Sequence, residues 1–351
     1  MTRILSTAIG FPPHYYSQEE LVRALREVWA QRYFNLERLE QLHRNVLVGG
    51  RHLALPPEEY LRRTGFGDRN DAWIAVALDL GEEVIRKLLA SARLEPGDIS
   101  ALVFTTVTGL AVPSLEARLM NRIAFRSDLK RVPLFGLGCL AGAAGVARVA
   151  DYLRGHPAEA ALLLSVELCS LTIQLEDLSV ANLVSSGLFG DGAAAVLMVG
   201  SQHPAAAAGP VVVDSRSVFF PDSERVMGWD VCNTGFRVVL GPEVPDYALK
   251  VGPALESFLE DHGLALSDID HWIAHPGGPK VIDAMEQALG LGPGALDLSR
   301  RSLAEVGNVS SASVLFVLDD FLRTRRPEEG SYGIMMAMGP AFCAELLLLR
   351  W

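Results

Sequence analysis

Three short segments carry side chains that could do chemistry together. Cys139 lies in LFGLGCLAGAAG, His275 lies in IAHPGGPK, and Asn308 lies in EVGNVSSAS. A cysteine at a helix start can hold an acyl group on its sulfur, and a histidine and an amide beside it can donate to an oxyanion. If the three side chains meet in space, they could together lengthen an acyl chain by forming one carbon–carbon bond.

The role expected of each side chain follows from its chemistry. A helix N-terminus stabilises the thiolate of Cys139, and the imidazole of His275 could complete a thiolate–imidazolium pair. Decarboxylation of a malonyl thioester creates an enolate, to which His275 and the Asn308 amide could donate hydrogen bonds. Each residue also has a plainer interpretation: a packed cysteine, a histidine in a surface turn, and an asparagine that caps a helix. Only the combination favours catalysis.

The segment around Phe189 adds a possible aromatic contact for a substrate. Phe189 precedes Gly190-Asp191-Gly192. An aromatic ring beside a malonyl carboxylate would exclude water and favour departure of neutral carbon dioxide, although a phenylalanine in the core is the plainer interpretation. Asp191, between two glycines, is expected to bond the backbone of a turn rather than act as an acid.

Length and composition limit the class of protein. The chain has 351 residues, 50% of them hydrophobic, which allows one large domain or two medium ones. A net charge of −11, from 31 basic and 42 acidic residues, disfavours nucleic acid or an anionic membrane as the main partner. The four cysteines have no CxxC spacing, and neither a signal segment nor a run of eighteen apolar residues is present. We therefore expect a cytoplasmic enzyme without a metal or redox cofactor.

The two halves of the chain repeat one plan. Asp98 precedes a short apolar strand and lies 41 residues before Cys139, and Asp268 precedes a similar strand 40 residues before Asn308. Cys139 and Asn308 each follow a glycine and open a small-residue helix, and another strand follows each helix. This repeat predicts a duplicated α/β unit with two mixed five-stranded sheets, divided near residue 208 into an N-terminal half, 1–208, and a C-terminal half, 209–351.

Several longer motifs add to the evidence from these three segments. They are VELCSLT, SSGLFGDGAAAV, FPDSE, TGFRVVLGPEVP, WIAHPGGPKVID and EVGNVSSASVLFVLDD. In order and spacing they resemble the type III polyketide synthases, the chalcone synthase-like family. The resemblance implies a thiolase-like fold with α/β/α/β/α layers and a homodimer. It also implies repeated decarboxylative condensation of malonyl-CoA onto an acyl-CoA starter, without a carrier protein, followed by cyclisation to a pyrone or a phenolic product.

The resemblance also implies roles for individual residues. Cys139 matches the acyl-carrying nucleophile, and His275 and Asn308 match the pair that polarises the thioester and supports decarboxylation. Phe189 matches the gatekeeper between the CoA tunnel and the cavity. Thr172, Cys169 and Ser310 match positions that line the cavity. Val112 matches a loop that crosses the dimer interface, and Arg38 matches a basic residue near the CoA phosphates.

Departures from the family pattern leave the substrate open. The C-terminal GFGPG loop keeps only Gly339 and Pro340. Val238 replaces a gating phenylalanine of plant enzymes and would open the cavity, whereas Trp229 would close part of it. Cys169 replaces the threonine of plant enzymes, as in bacterial relatives that make polyhydroxynaphthalene. Val238 and the apolar loop at Val112 favour an aliphatic starter, whose length the sequence does not determine.

Two other interpretations remain open from the sequence. β-Ketoacyl-carrier-protein synthase III of fatty-acid synthesis uses the same set of cysteine, histidine and asparagine. A non-catalytic acyl-binding scaffold on the same fold belongs to another class, and the intact set at Cys139, His275 and Asn308 argues against it.

Overall fold

The structure is a computed structural model that describes residues 1–30, 33, 35–63, 65–206 and 209–351. The predicted boundary after residue 208 lies outside the described residues, and the division into two domains stays a prediction. No helix in these ranges is both long and apolar enough to cross a bilayer.

The strands are short and alternate with helices along most of the chain. Their bounds are β1 Thr2–Gly10, β2 His14–Ser17, β3 Gly50–Leu53, β4 Ile99–Thr106, β5 Lys130–Phe135, β6 Ala160–Leu168, β7 Asp191–Val199, β8 Val211–Phe219, β9 Met227–Cys232, β10 Gly235–Leu240, β11 Ile269–Ala274, β12 Tyr332–Gly339 and β13 Cys343–Arg350. The helices are α1 Gln18–Trp29, α2 Leu36–Asn45, α3 Pro57–Arg62, α4 Phe66–Ala92, α5 Leu115–Leu119, α6 Ala141–Gly155, α7 Val180–Leu188, α8 Val244–Leu249, α9 Val251–Glu260, α10 Pro279–Ala288, α11 Asp297–Val306 and α12 Ser313–Thr324.

One large mixed sheet organises the described part of the chain. Its strand order is β11-β12-β13-β8-β1-β7-β6-β4-β5. Strands from the two halves meet where β1 pairs antiparallel with β8, through Thr2 with Val212 and Arg3 with Val211. Helices α6 and α12 share one buried cluster with strands from both halves, whereas α4 packs on the N-terminal strands and α9 and α10 pack on the C-terminal ones. The predicted thiolase-like α/β layering is confirmed.

The duplicated plan is visible at the start of equivalent strands. The carboxylate of Asp98 accepts from the backbone N–H of Glu95 at 2.8 Å just before β4, and Asp268 accepts from Ala265 at 2.8 Å just before β11. Each closes a short 3-10 turn that leads into its strand. The same local device therefore begins the strand that precedes each predicted active residue.

The prediction of two five-stranded sheets was wrong in the number of strands and in the number of sheets. Among the described residues, the C-terminal side of the sheet has four strands, and these join the N-terminal five in a single sheet. The segment before Asn308 forms α11, where the other half has β5. In α11 the buried Leu298, Ser299 and Leu303 fall on one helical face between charged residues, which favours a helix over a strand.

The two helices that carry the predicted active residues touch at their starts. A Cβ atom on Gly142, in the first turn of α6, would come 2.2 Å from the carbonyl oxygen of Ser311, just before α12. Only glycine allows this approach. The contact brings the chain around Cys139 against the chain around Asn308.

Candidate active site

Cys139 lies in a tight turn whose shape depends on glycine. The 3-10 turn Gly138–Leu140 leads directly into α6, so the predicted helix start is confirmed to within one turn. Gly138 has a φ of +53°, and a Cβ atom on it would come 2.6 Å from Cδ of Pro340. This backbone conformation suits glycine. It lets Pro340, which follows Gly339 at the end of β12, pack against the turn that holds the thiol.

Asn308 is held on both sides of its backbone and at both ends of its amide. Its N–H donates to the carbonyl of Leu188 at 2.9 Å, and its carbonyl accepts from Gly190 at 2.9 Å, in a bridge beside Phe189. The side-chain Oδ1 accepts from the N–H of Ser310 at 2.8 Å, and Nδ2 donates to the carbonyl of Gly277 at 3.1 Å. Asn308 therefore caps the turn before α12, and the second N–H of its amide is left for the sulfur of Cys139.

His275 follows β11 and is buried without a hydrogen-bonding partner on its ring. Its backbone N–H donates to Met336 at 2.9 Å, which fixes it beside β12. The residue is 2% exposed, and neither ring nitrogen has a partner among the described residues. Burial lowers the pKa of His275 to about 3. The ring is therefore neutral and can offer one N–H to a ligand oxygen.

A chain of contacts joins the three predicted residues. The Sγ of Cys139 lies 3.8 Å from the Oγ of Ser310, and the Asn308 side chain is a second hydrogen-bonding partner of the sulfur. The same Asn308 amide donates to the carbonyl of Gly277, whose own N–H donates to the carbonyl of His275 at 3.0 Å. The thiol, the amide and the imidazole turn therefore belong to one buried cluster.

Burial opposes ionisation of the thiol. Removal from water raises the pKa of Cys139 to about 12, and the negative charge of Glu167 acts in the same direction. Hydrogen bonds from Ser310 and Asn308 lower it. Burial thus works against the predicted thiolate–imidazolium pair. The pair can form only where hydrogen bonds to sulfur and attraction to His275 offset the loss of hydration.

A cavity of about 1090 Å³ lies next to this cluster. Phe189, Cys169, Thr172, Trp229 and Val238 line it, so the predicted cavity positions among them do face one space. The cluster itself does not contribute to the lining. It lies directly behind the wall, because Asn308 is bridged to Phe189 and the thiol of Cys139 lies within electrostatic reach of Cys169.

The remaining predicted substrate contacts lie outside this cavity. Ser310 contacts the sulfur, and Gly339 and Pro340 pack on the turn of Cys139. Val112 is 95% exposed and lies on the surface of the single chain. Arg38 is exposed on α2, and its backbone N–H donates to the side chain of Asn35 at 2.9 Å.

Sequence reasoning missed a buried carboxylate beside the thiol. Glu167 accepts from the hydroxyl of Thr108 at 2.9 Å, the N–H of Val107 at 3.0 Å and the hydroxyl of Ser311 at 2.5 Å. Burial raises its pKa, and these hydrogen bonds lower it. An acidic residue within the apolar run ALLLSVEL was the signal, because such a charge needs partners.

Among the described residues, no group of three or more histidine, cysteine, aspartate or glutamate side chains is arranged to hold a metal ion.

Two family models match adjacent parts of the chain. FAE1/Type III polyketide synthase-like protein matches residues 72–209, and Chalcone and stilbene synthases, C-terminal domain, matches residues 211–351. The boundary between the two matches coincides with the change from strands of the N-terminal half to strands of the C-terminal half.

Full-length relatives agree with these matches. The 1,3,6,8-tetrahydroxynaphthalene synthase of Streptomyces peucetius subsp. caesius is 49% identical, over 100% of this chain and 93% of the relative. The putative chalcone synthase of Bacillus subtilis (strain 168) is 36% identical, over 100% and 99%. Phloroglucinol synthase of Pseudomonas fluorescens is 30% identical, over 100% and 99%.

A solved structure extends the agreement to the fold. The crystal structure of 1,3,6,8-tetrahydroxynaphthalene synthase from Streptomyces coelicolor A3(2) superposes with a TM-score of 0.94 at 34% identity, over 99% of each chain. The chain belongs to the type III polyketide synthases, alongside their bacterial members, and is an acyltransferase that forms carbon–carbon bonds by Claisen condensation.

Proposed function

We propose that this enzyme repeatedly condenses malonyl-CoA onto a starter acyl group held on Cys139, without a carrier protein, and then cyclises the chain. The observation that carries the proposal is the linkage of Cys139, Asn308 and the His275 turn in one buried cluster. It combines a nucleophile with neutral hydrogen-bond donors, which is what acyl transfer and enolate chemistry both need.

Loading begins when the sulfur of Cys139 attacks the carbonyl carbon of the starter thioester. The thiol proton passes to His275, the carbon–sulfur bond to CoA breaks, and the CoA thiolate leaves and takes up that proton. His275 is suited to this exchange because its ring nitrogens are free of protein partners in the described cluster. The starter is then held as a thioester on Cys139.

Extension uses the same donors in a second way. Malonyl-CoA loses its carboxylate as carbon dioxide, and the electron pair of the broken bond moves onto the thioester oxygen as an enolate. Once the sulfur is acylated, the second N–H of the Asn308 amide is available to that oxygen, and together with one N–H of His275 it stabilises the negative charge. The enolate carbon then attacks the acyl carbonyl on Cys139, and the sulfur leaves. The lengthened chain, now on CoA, returns to Cys139 for the next round.

The electron pair for the new carbon–carbon bond comes from the bond that decarboxylation breaks, so we propose that no metal or redox cofactor takes part. Exhaustive dialysis against EDTA should leave the condensation rate unchanged. A loss of activity that a divalent cation restores would contradict this part of the proposal. The cytoplasmic location stays a prediction.

Omission of a carrier protein is the direct test of the reaction. Purified enzyme with malonyl-CoA and an acyl-CoA starter is expected to form extended, cyclised products, which mass spectrometry detects. A strict need for an acyl carrier protein would instead favour the β-ketoacyl-carrier-protein synthase interpretation. Failure to form any adduct on Cys139 would favour a scaffold.

For the starter we propose malonyl-CoA itself. Support comes from the relative that is 49% identical, whose name gives a tetrahydroxynaphthalene as its product, with ten ring carbons and no alkyl group. A malonyl starter and four two-carbon extensions give eleven carbons, and loss of the terminal carboxylate as carbon dioxide leaves the ten of that skeleton. Incubation with malonyl-CoA as the sole substrate is expected to give a polyhydroxylated aromatic product.

An aliphatic starter is the second candidate, as the sequence predicted. The observation in its favour is an apolar arm of the cavity along α1 and α3, lined by Leu21, Leu25, Val28 and Leu61. A panel of acyl-CoA starters of increasing length, each with malonyl-CoA, decides between the two. A higher rate with hexanoyl-CoA or longer starters than with malonyl-CoA alone would favour the aliphatic starter.

We further propose that the enzyme is a homodimer whose interface includes β5. The strand is the last of the sheet, and its residues are mostly exposed, Phe135 among them. Exposed edge strands with apolar side chains favour pairing with another chain. The exposed Val112 would then lie where the family loop crosses to the partner's cavity. Sedimentation velocity should show a dimer that Phe135→Glu weakens, and a wild-type monomer would refute this.

A further inference from the structure

A buried basic cluster lines the substrate cavity. Arg51 and Arg69 both line it, although they are only 2% and 7% exposed. Tyr60, another lining residue, lies within electrostatic reach of both guanidinium groups. The two cations therefore flank one tyrosine on one wall of the cavity.

Arg69 has no carboxylate partner in the described part of the chain. Its Nε donates to the carbonyl of Arg63 at 2.8 Å and its Nη1 donates to the carbonyl of Ile173, while Nη2 has no acceptor in those ranges. Arg51 differs, because the buried Asp191 supports its charge electrostatically. An unpaired buried cation is costly. We infer that an anion in the cavity offsets that cost.

Tyr60 and Arg69 lie against the turn that separates the cavity from the thiol of Cys139. The Tyr60 hydroxyl is 2.6 Å from Oγ of Ser170, in the turn Cys169–Thr172, and Arg69 donates to Ile173 directly after that turn. Ser185 adds a buried hydroxyl without a partner among the described residues, and it lines the same cavity. The cavity wall therefore offers the unpaired hydroxyl of Ser185 as well as the guanidinium groups.

The acidic residues of the cavity lie at its rim. Glu27, Glu58 and Glu176 line it, and all three are exposed. The inner wall is therefore basic and the outer edge acidic. Because Arg69 is buried, a compact carboxylate on a flexible chain suits it better than the bulky phosphates of a nucleotide. Because Nε and Nη1 of Arg69 already donate to backbone carbonyls, Nη2 is the nitrogen left to donate a charge-assisted hydrogen bond to such a carboxylate.

We propose that Arg69 binds the terminal carboxylate of a growing chain that malonyl has primed. Each condensation moves that carboxylate two carbons farther from Cys139. Arg69 holds it once the chain has passed Cys169, and the chain then stays extended for further rounds instead of closing early. The inference rests on the proposed condensation and adds a binding site for the far end of the chain.

The test compares a charged and a neutral chain end. Wild type, Arg69→Gln and Arg69→Lys are each given malonyl-CoA alone, or hexanoyl-CoA with malonyl-CoA. Mass spectrometry measures the ratio of the longest product to shorter released pyrones. Arg86→Gln is the matched control, because Arg86 is exposed on the same helix and pairs with Glu82 at 2.8 Å.

In Arg69→Gln, the ratio for malonyl-primed chains should fall at least tenfold more than the ratio for hexanoyl-primed chains. About tenfold is the loss expected when one hydrogen bond to a charged group is removed. Arg69→Lys keeps the charge and should recover most of the malonyl-primed ratio. Arg86→Gln should match wild type.

Equal falls of the two ratios in Arg69→Gln would show a structural role and overturn the proposal. So would an unchanged malonyl-primed ratio, or a raised KM for every CoA thioester, which would assign Arg69 to the CoA phosphates. A wild type that extends hexanoyl but never primes with malonyl would overturn this inference alone. A wild type that condenses no starter at all would overturn the proposed function itself.

Discussion

Removal of the Asn308 amide is expected to slow malonyl decarboxylation far more than it weakens malonyl-CoA binding. The amide is oriented at both ends, since Oδ1 accepts from Ser310 at 2.8 Å and Nδ2 donates to Gly277 at 3.1 Å. An amide fixed in this way pays little to reorganise when the enolate forms. It is thus a preorganised donor whose effect is concentrated in the transition state.

The magnitude follows from the loss of one such donor. Removing a single oxyanion donor costs about 2.7–4 kcal/mol, which is about 10²–10³ in kcat. Asn308→Ala should therefore release carbon dioxide from malonyl-CoA about 10²–10³ times more slowly than wild type. Asn308→Asp keeps the acceptor for Ser310 but removes the amide N–H groups. Its ionised form would also repel the enolate, so its defect should deepen as pH rises.

Release of labelled carbon dioxide from carboxyl-labelled malonyl-CoA measures this step without a starter. Gln202→Glu, which makes the same exchange of amide for acid at an exposed loop residue, controls for the added negative charge. Decarboxylation by Asn308→Ala within threefold of wild type would refute the donor role. Asn308 would then be only the cap of the turn before α12.

Three further outcomes test other parts of the structure. Cys139→Ala should abolish starter loading and condensation, measured by intact-protein mass spectrometry and product analysis, while malonyl decarboxylation stays measurable; retained condensation would exclude Cys139 as the nucleophile. Gly142→Ala would bring a Cβ atom 2.2 Å from the Ser311 carbonyl and should cost about 1–3 kcal/mol of unfolding free energy, lowering the melting temperature by several degrees. Gly155→Ala, at a site with no atom within 4 Å of the added Cβ, is its control, and equal melting temperatures would contradict the packing argument. Arg38→Ala should raise the KM for malonyl-CoA by up to about fivefold, because a charged surface contact to a phosphate contributes up to about 1 kcal/mol; an unchanged KM would contradict that contact.

Local rules explain how the sequence could point to the three candidate residues, whose catalytic roles stay predictions. Cys139 and Asn308 follow glycines at helix starts, and His275 follows a short buried strand before a Pro/Gly turn. Such signals lie within a few residues of the side chain concerned. The repeated interval from an aspartate to each helix start extended the argument from one half of the chain to the other, and the similar turns at Asp98 and Asp268 explain why it worked.

What the sequence could not predict depends on contacts between distant segments. The orientation of the Asn308 amide is set by Gly277, 31 residues away, and the setting of Glu167 depends on Ser311, 144 residues away. Arg69 reads as a charge on a helix, whereas in the fold it is buried and its guanidinium donates to the carbonyl of Ile173, 104 residues away. The helix α11 lies where the other half has β5, and the repeat between the two halves did not indicate this difference, although the apolar spacing of the segment favours a helix.

The position of the thiol behind the cavity wall bears on how a starter reaches the sulfur. Phe189 and Cys169 lie on the cavity wall, and the Cys139 cluster lies behind them. If starters enter through this cavity, as the proposed function requires, a wall side chain moves to admit them to the sulfur, and Phe189 is the better candidate because it is partly exposed whereas Cys169 is buried. Its backbone is bridged to Asn308, so a rotation of the ring opens the passage while the amide donor stays in place. A site built in this way keeps water from the acyl thioester between condensations, because hydrolysis of that thioester would end the chain.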